Sequence, residues 1–558
     1  MRKIKRILFF VVCFIILCLL VLFFYKRYSS NKEVISLTEV LPGKQLQENQ
    51  TYIFIDDKYL DEDRGLIHEH NPYLPMEMAA EYDSRFYFQE GTNELLFTNS
   101  KEVIRFKEGD SMTIKDNKGQ EINTIPFVIV NGKQYISVDF MNSYSGGNIK
   151  FEKDPDRIII FSRGTEFKSV NNNEYIRNLT GHKSYVLQQT NNTKVKVLSE
   201  NIVDGWSKVV SKEGYVGYIE NSNIGSAIQE NDGIDDSYRY FTLGEKVKLG
   251  WHQVGGQEGN ITGMNLAALN HINVISPTWF SIIDNNGSIS NFSSTEYVEQ
   301  MHSKNIKVWI LVDDFNKDIN LTDIFKNEAS RKALINNLVT STKAVGADGI
   351  NIDFEHITKE NAYSYIQFLR ELYLVTRSQN LIISTDNYVP MEYNKHYFRD
   401  QQNQVIDYFI IMGYDEHTGG SESAGSVSSY NFVKKGIENT LKDVPKEKVI
   451  NGIPFYTRLW KEEPTTTAGS NTLTSEILSL KGQDKVLSDL GADVKWDEDA
   501  KQNYMEIIKA GVTYKMWLED EKSLNEKLQL VRDNDLAGFA IWKLSLEPDD
   551  LWGKLNYE

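Results

Sequence analysis

At 558 residues the chain is longer than one hydrophobic core usually serves, and at about 150 residues per domain it predicts several folded units. Hydrophobic residues make up 41%, aromatics 12% and charged residues 25%, a balance that excludes a disordered or fibrous chain. Acidic residues outnumber basic ones 78 to 61, a formal charge of -17, which excludes the basic footprint of a nucleic-acid binder and favours a neutral substrate.

The run ILFFVVCFIILCLLVLFFY, from Ile7 to Tyr25, is uncharged and about as long as the ~20 residues a helix needs to cross a bilayer. Arg2, Lys3, Lys5 and Arg6 precede it and only Lys26 and Arg27 follow. The positive-inside bias then predicts a single-pass anchor at the cell membrane, with the N-terminus cytoplasmic and the rest of the chain extracellular. A cleaved signal peptide is the alternative, but the apolar run is long for one and no small-x-small site closes it. Residues 1–30 are thus read as cytoplasmic stub and anchor. Both cysteines, Cys13 and Cys18, lie inside the run, so the exported part has no thiol with which to form a disulfide. With nine histidines, no HExxH and no Cys/His cluster, neither a transition metal nor a cofactor is expected, while carboxylate-held calcium is left open.

Residues 31–50 are polar and read as a linker. Across 51–165, short runs such as YIFI, ELLFT, EVIRF, FVIV, YISV and RIIIF alternate with Gly, Asn and Asp turns, including Asn131-Gly132, and predict a small β-rich module. The stretch IPFVIVNGKQYISVDFMNSY resembles a module found at the N-terminus of copper amine oxidases and in many exported bacterial proteins, and no copper is inferred from it. Residues 166–228 form a second all-β segment. Its Gly205-Trp206-Ser207-Lys208-Val209 and Gly214-Tyr215-Val216-Gly217-Tyr218 resemble the bacterial Src-homology-3-like barrel, a resemblance that implies a cell-wall peptide or glycan as partner. A spacer with Trp206 in its core is the competing reading. An acidic linker spans 229–239.

From 240 to 558, the strand-sized runs KLGWHQV, NVISPTWF, KVWILVDD, GINIDFEHI, LIISTDNYV, YFIIMGY, VINGIPFY and GFAIWKL alternate with amphipathic helix-sized segments. Eight such βα units predict a (β/α)8 TIM barrel. The surplus length between the last two strands predicts an inserted α+β subdomain over 461–535, overhanging one side of the site. The expected fold class is therefore multidomain: a transmembrane helix, two small mainly-β modules and a C-terminal barrel.

On the fourth strand, Asp348-Gly349-Ile350-Asn351-Ile352-Asp353-Phe354-Glu355 alternates, so Asn351, Asp353 and Glu355 share one face and Ile350, Ile352 and Phe354 the other. The apolar face meets the helices. The polar face points inward, with Glu355 nearest the C-terminal rim where enzymes of this fold keep their active sites. Carboxylates two residues apart repel, which keeps a proton on one of them and supplies a general acid. A polar barrel layer with no chemistry is the bland alternative for this pattern alone. Met412-Gly413-Tyr414-Asp415, Gly452-Ile453-Pro454-Phe455-Tyr456-Thr457-Arg458 and Ile541-Trp542-Lys543 end the next strands at the same rim.

The string at 348–355 resembles the DxxDxDxE signature of glycoside hydrolase family 18, the chitinase-like family, and MGYD, GIPFYTR and IWKLSLEPDDLW resemble it in the right order. The bacterial spore-cortex and cell-wall N-acetylglucosaminidases resemble the chain most. Asn351 stands where the chitinases have the middle aspartate, so their proton-sharing pair is not carried over unchanged. The resemblance implies that the substrate's own 2-acetamido oxygen attacks the anomeric carbon, with retention. It further implies Glu355 as acid and then base, Asp353 as orienter of the acetamido group, and Tyr414 as donor to its carbonyl. Asp415 would hold the distorted sugar or steady Tyr414, and Trp542 would form the floor. Asn351, Tyr456 and Trp251 are candidate substrate contacts. Trp279, Tyr388 and Trp460 are either sugar platforms or core. Asp348, out of phase, is given a supporting role at the start of the strand. His356 and His417 follow site carboxylates and read as bystanders. The implied partner is an N-acetylglucosamine-containing polysaccharide, in peptidoglycan, spore cortex or chitin. The competing functions are an inactive glycan-binding or scaffolding protein and an assembly factor acting through its β modules.

Overall fold

The computed structural model describes residues 10–21, 29–41, 46–115, 119–146, 148–162, 164–203, 205–228, 237–260, 266–464 and 471–557. The chain divides into two units, one of residues 1–86 and 106–235, the other of residues 87–105 and 236–558. Of the apolar run Ile7–Tyr25, residues 10–21 form an exposed helix, and 7–9 and 22–25 lie outside the described residues. Among the described residues no helix is long and apolar enough to cross a membrane.

The first unit is mainly β. The Asn131-Gly132 turn is a hairpin with both residues at positive φ, 52° and 76°, the type I′ geometry that suits the twist of the flanking strands Phe127–Val130 and Lys133–Ser137. The YISV run does not stay extended, because the Ser137 hydroxyl accepts from the Phe140 amide and caps a helix over Val138–Ser145. Residues 31–50 are not simply a linker. Val34 pairs with Val186, and a Ser36/Glu39 capping box starts a short helix that buries Leu37. Leu37 packs with Tyr52, Phe54, Ile159, Phe161, Phe167 and Val210, so the stretches read as two β modules share one core. Residues 166–228 contribute a seven-stranded sheet, and Trp206 is buried. The 229–239 linker falls outside the described residues from 229 to 236.

In the second unit the eight strands predicted from sequence close a parallel barrel: β1 (Val247–His252), β2 (Val274–Ile282), β3 (Lys307–Asp313), β4 (Gly349–Asp353), β5 (Ile382–Tyr388), β6 (Tyr408–Met412), β7 (Val449–Pro454) and β8 (Gly538–Trp542). Leu249 of β1 sits beside Val274 on one side and Ala540 on the other, which closes the ring. That closure needs Gly538, where a Cβ would lie 1.9 Å from the Val247 carbonyl oxygen. Alternation along each strand makes two cores. Leu249, Trp251, Trp309, Leu311, Tyr408 and Ile410 fill the barrel. Ile310, Ile350, Ile352, Phe409 and Ile411 face outward onto Met301 of α1 (Thr295–His302), Leu338 of α2 (Glu328–Ala344), Leu369 of α3 (Ala362–Gln379), Ile437 of α4 (Tyr430–Thr440) and Leu528 of α5 (Glu521–Asp533).

Residues 87–105 were placed by sequence inside the first β module, but they belong to the barrel unit. Polar contacts hold them there. Gln89 Nε2 donates to the Lys326 carbonyl at 2.6 Å, Gln89 Oε1 accepts from Arg331 at 2.9 Å, and Gln367 donates to the Thr98 hydroxyl at 3.0 Å. Their apolar pattern is no different from that of the neighbouring strands, so periodicity had no means of separating them.

The insertion runs from Tyr456 to Trp517 rather than from 461 to 535. It is a five-stranded antiparallel sheet carrying the helix Leu480–Leu490, whereas residues 521–533 are α5 of the barrel ring. Glu519, fully buried between the two, accepts from Lys527 at 2.9 Å, from Gln502 at 2.8 Å and from Ser523 at 2.8 Å. Burial pushes its carboxyl up to about 7 against the pull of Lys527. Lys527→Met is therefore expected to cost about 3–5 kcal/mol at pH 8, because buried Glu519 must then either stay charged without its partner or take up a proton well above its ordinary range. Denaturant unfolding measures it, and a loss below about 1 kcal/mol would show that the pair is not holding the insertion to the barrel.

Candidate active site

Parallel β4 delivers its polar face to the barrel interior. Asn351 is fully buried: its Oδ1 accepts from Trp251 Nε1 at 2.9 Å and from Ser276 Oγ at 3.0 Å, and its Nδ2 donates to Asp386 Oδ1 at 2.8 Å. The indole N–H only donates, so the orientation of this amide is set. Asp353 closes β4 and is 5% exposed, with Oδ1 lacking a hydrogen-bond partner. Glu355 stands two residues further on, half-buried at the rim.

The backbone at Glu355 is clamped from two sides. Buried Asp314 accepts from the Glu355 amide at 3.1 Å and the His356 amide at 2.9 Å, while the Tyr397 hydroxyl donates to the Glu355 carbonyl at 2.9 Å. Its carboxylate accepts from the Tyr388 hydroxyl. A proton donor held this way keeps one orientation, which is the first requirement for general acid work.

Glu355 opens onto a cavity of about 150 Å³ at the C-terminal ends of the strands. Trp251 and Trp542 form an edge-to-face pair in its lining with centroids 5.7 Å apart, Tyr414 and Met412 line it from the end of β6, and Phe315, Tyr388 and Asp415 complete it. Asp415 sits at φ 58°, a left-handed geometry that aspartate tolerates, and accepts from the Tyr456 hydroxyl at 2.6 Å. Tyr456 thus reaches the site through Asp415.

Asp353, Glu355, Asp386 and Asp415 all line this cavity, and among the described residues no lysine or arginine does. Burial, then the charges of Asp386 and Glu355, raise the Asp353 carboxyl well above its ordinary range. Asp386 is likewise raised well above its range, first by burial and then by Glu355, with the Asn351 hydrogen bond opposing. Burial raises Glu355 as well; the Tyr388 bond opposes it and Asp314 and Asp415 reinforce it. Among the described residues no group of three or more His, Cys, Asp or Glu is arranged to hold a metal ion.

Of the sequence-predicted site residues, Asn351, Asp353, Glu355, Tyr414, Asp415, Trp542, Trp251 and Tyr456 come together here. Asp348 does not. It lies at the opposite end of β4, where it binds His302 at 2.7 Å, Lys307 at 2.9 Å and the Val308 amide at 2.9 Å, pinning the start of the strand. Trp279 and Trp460 are core, bonded to Asn260 and to the Gly425 carbonyl. His417 is tied to the Ser426 carbonyl and His356 pairs with Asp314 at 3.1 Å. Asp386, Asp314, Phe315 and Tyr397 were missed. For Asp386 a signal existed, since Ser384, Asp386 and Tyr388 alternate in LIISTDNYV just as Asn351, Asp353 and Glu355 do.

Residues 249–547, more than half of the chain, match the model of glycosyl hydrolases family 18. An uncharacterized glycosylase of Bacillus subtilis (strain 168), YvbX, is 26% identical over 331 residues, covering 56% of this chain and 92% of YvbX. The cortical fragment-lytic enzyme of the same organism is 25% identical over 238 residues, covering 41% of this chain and 54% of that enzyme, so the match spans about half of the relative's length. The crystal structure of a C-terminal domain from Desulfitobacterium hafniense DCB-2 shares the fold, with a TM-score of 0.50 and 21% identity over 56% of this chain and 100% of that domain. By the extent of the family match, and with a closed barrel presenting its acids at the C-terminal rim, the chain belongs to glycosyl hydrolases family 18, enzymes that cut glycosidic bonds.

Proposed function

We propose that this protein hydrolyses β-1,4 bonds next to N-acetylglucosamine in peptidoglycan or spore cortex, by substrate-assisted catalysis with retention. The observation that carries the reading is Glu355, an acid held above its ordinary range at the mouth of a cavity that has an aromatic lining and, among the described residues, no basic side chain. In this reading Glu355 protonates the leaving oxygen and then activates water. Asp353 orients the acetamido group and balances the positive charge of the oxazolinium ion, and Tyr414 donates to the acetamido carbonyl. A neutral amino sugar suits a cavity whose described lining carries carboxyl groups and no basic partner for an anionic sugar.

The wall is favoured over free chitin by the β-rich N-terminal unit and by the apolar run Ile7–Tyr25, which in this reading anchors the enzyme outside the cell membrane. The segment 166–228 would add a hold on wall peptide or glycan. Since Trp206 is buried, that contact falls to other side chains. Digestion of purified peptidoglycan, cortex and chitin, with mass analysis of the released ends, is expected to yield fragments ending in N-acetylglucosamine. Fragments ending only in muramic acid, or none from any of the three, would overturn the reading.

Trp542, half-buried beside Trp251, is proposed as the floor under the distorted sugar. Trp542→Ala is expected to weaken binding of N-acetylglucosamine oligomers about tenfold, roughly 1.4 kcal/mol, in a calorimetric titration. Unchanged affinity would make this ring a packing residue.

A further inference from the structure

Asp386 is buried in the cavity, lies on a strand outside the motif and has no part in the chemistry described so far. Its position follows from register. In the parallel β4–β5 pair, Asn351 lies beside Ser384 and Ile352 beside Thr385, so Asp386 is one step further along β5 as Asp353 is along β4. Neighbouring strands lie about 4.8 Å apart and side chains at matched positions point the same way. Both carboxyl groups line the same cavity.

Asn351 cannot serve as an acid partner to Asp353. Its carbonyl oxygen is occupied by Trp251 and Ser276, and its amide nitrogen is directed at Asp386. Asp353 keeps one buried oxygen without a partner. The other groups that bear on this pair are Asp313 and Asp314 at the end of β3, Glu355 just beyond β4, Tyr388 of β5, Tyr414 just beyond β6 and Tyr365 of α3; among the described residues none is a cation. Two adjacent carboxylates in such surroundings cannot both ionise.

We propose that Asp386 is a positioning acid that shares one proton with Asp353, supplying from the fifth strand the carboxyl that Asn351 lacks on the fourth. The pair carries one negative charge throughout. When the acetamido N–H donates to Asp353, the shared proton resides on Asp386, and Asp353 faces the developing positive charge as a carboxylate. Glu355 gives up and regains a different proton. This inference rests on the proposed glycosidase reading for its role in turnover, though the shared proton itself does not.

Two measurements keep those apart. Isotope-edited infrared spectroscopy of the full chain with labelled aspartate is expected to show a buried protonated carboxyl at neutral pH, present in the wild type and in Glu355→Gln and lost in Asp386→Asn. Its persistence in Asp386→Asn, or absence from the wild type, overturns the inference even if no substrate is cleaved. In turnover of N-acetylglucosamine oligomers, Asp386→Asn is expected to lower kcat at least tenfold with KM little changed and to alter the pH profile. Adding Asn351→Asp, which returns a carboxyl to the fourth strand, is expected to recover most of that loss. If Asp386→Asn folds and keeps the wild-type kcat and pH profile, or if the double variant folds and recovers nothing, a purely structural Asp386 is the answer.

Discussion

Glu355→Gln is expected to lower hydrolysis of N-acetylglucosamine oligomers or wall fragments by about 10²–10⁴-fold, down to the background of the assay, while the protein stays folded. The amide is isosteric and can still accept from Tyr388, and the backbone clamps from Asp314 and Tyr397 do not involve the side chain. What is lost is the proton. In the wild type, burial and the nearby Asp314 and Asp415 raise the carboxyl above its ordinary value of 4.5, which extends the pH range over which it holds a proton. An acid works only while protonated, so kcat is expected to fall as pH rises through this elevated value, and the descending limb should disappear with the substitution. Turnover by Glu355→Gln equal to wild type would falsify the catalytic assignment.

Asp353→Asn carries the second large effect, about 10²-fold or more in kcat with binding of the oligosaccharide retained. The side chain is buried at the end of β4, has one unpartnered oxygen and lines a cavity in which, among the described residues, no basic group takes part. In the proposed mechanism a carboxylate there meets the positive charge that grows on the substrate in the transition state but is absent from the ground state, so its removal is expected to act on kcat and not on KM. The measurement is a kcat and KM pair on a defined oligomer, with circular dichroism confirming the fold. A rise in KM alone would place Asp353 in uniform binding instead.

Much of the barrel was legible because parallel strands buried on both faces leave continuous apolar runs, and because the exceptions to those runs are informative. Asn351 and Asp353 interrupt GINID on one phase only, and the strand period turns that interruption into an inward direction. The rim aromatics were harder to sort. Trp251, Trp279, Tyr388, Tyr456 and Trp460 all fall near strand ends, yet Trp279 and Trp460 are core, Tyr388 holds Glu355 and Tyr456 steadies Asp415. Local pattern assigns a ring to a strand end but not to one of the neighbours it meets there.

By itself the sequence determined the eight strands, their inward and outward faces, the acid at the mouth and the family, since alternation and motif spacing are properties of neighbouring residues. Only the tertiary structure decided that residues 87–105 pack with the barrel, that α5 follows the insertion instead of belonging to it, and that Asp386 stands beside Asp353. Each of these joins residues distant along the chain. Strand register and buried hydrogen bonds bring such residues together, and no local periodicity encodes them.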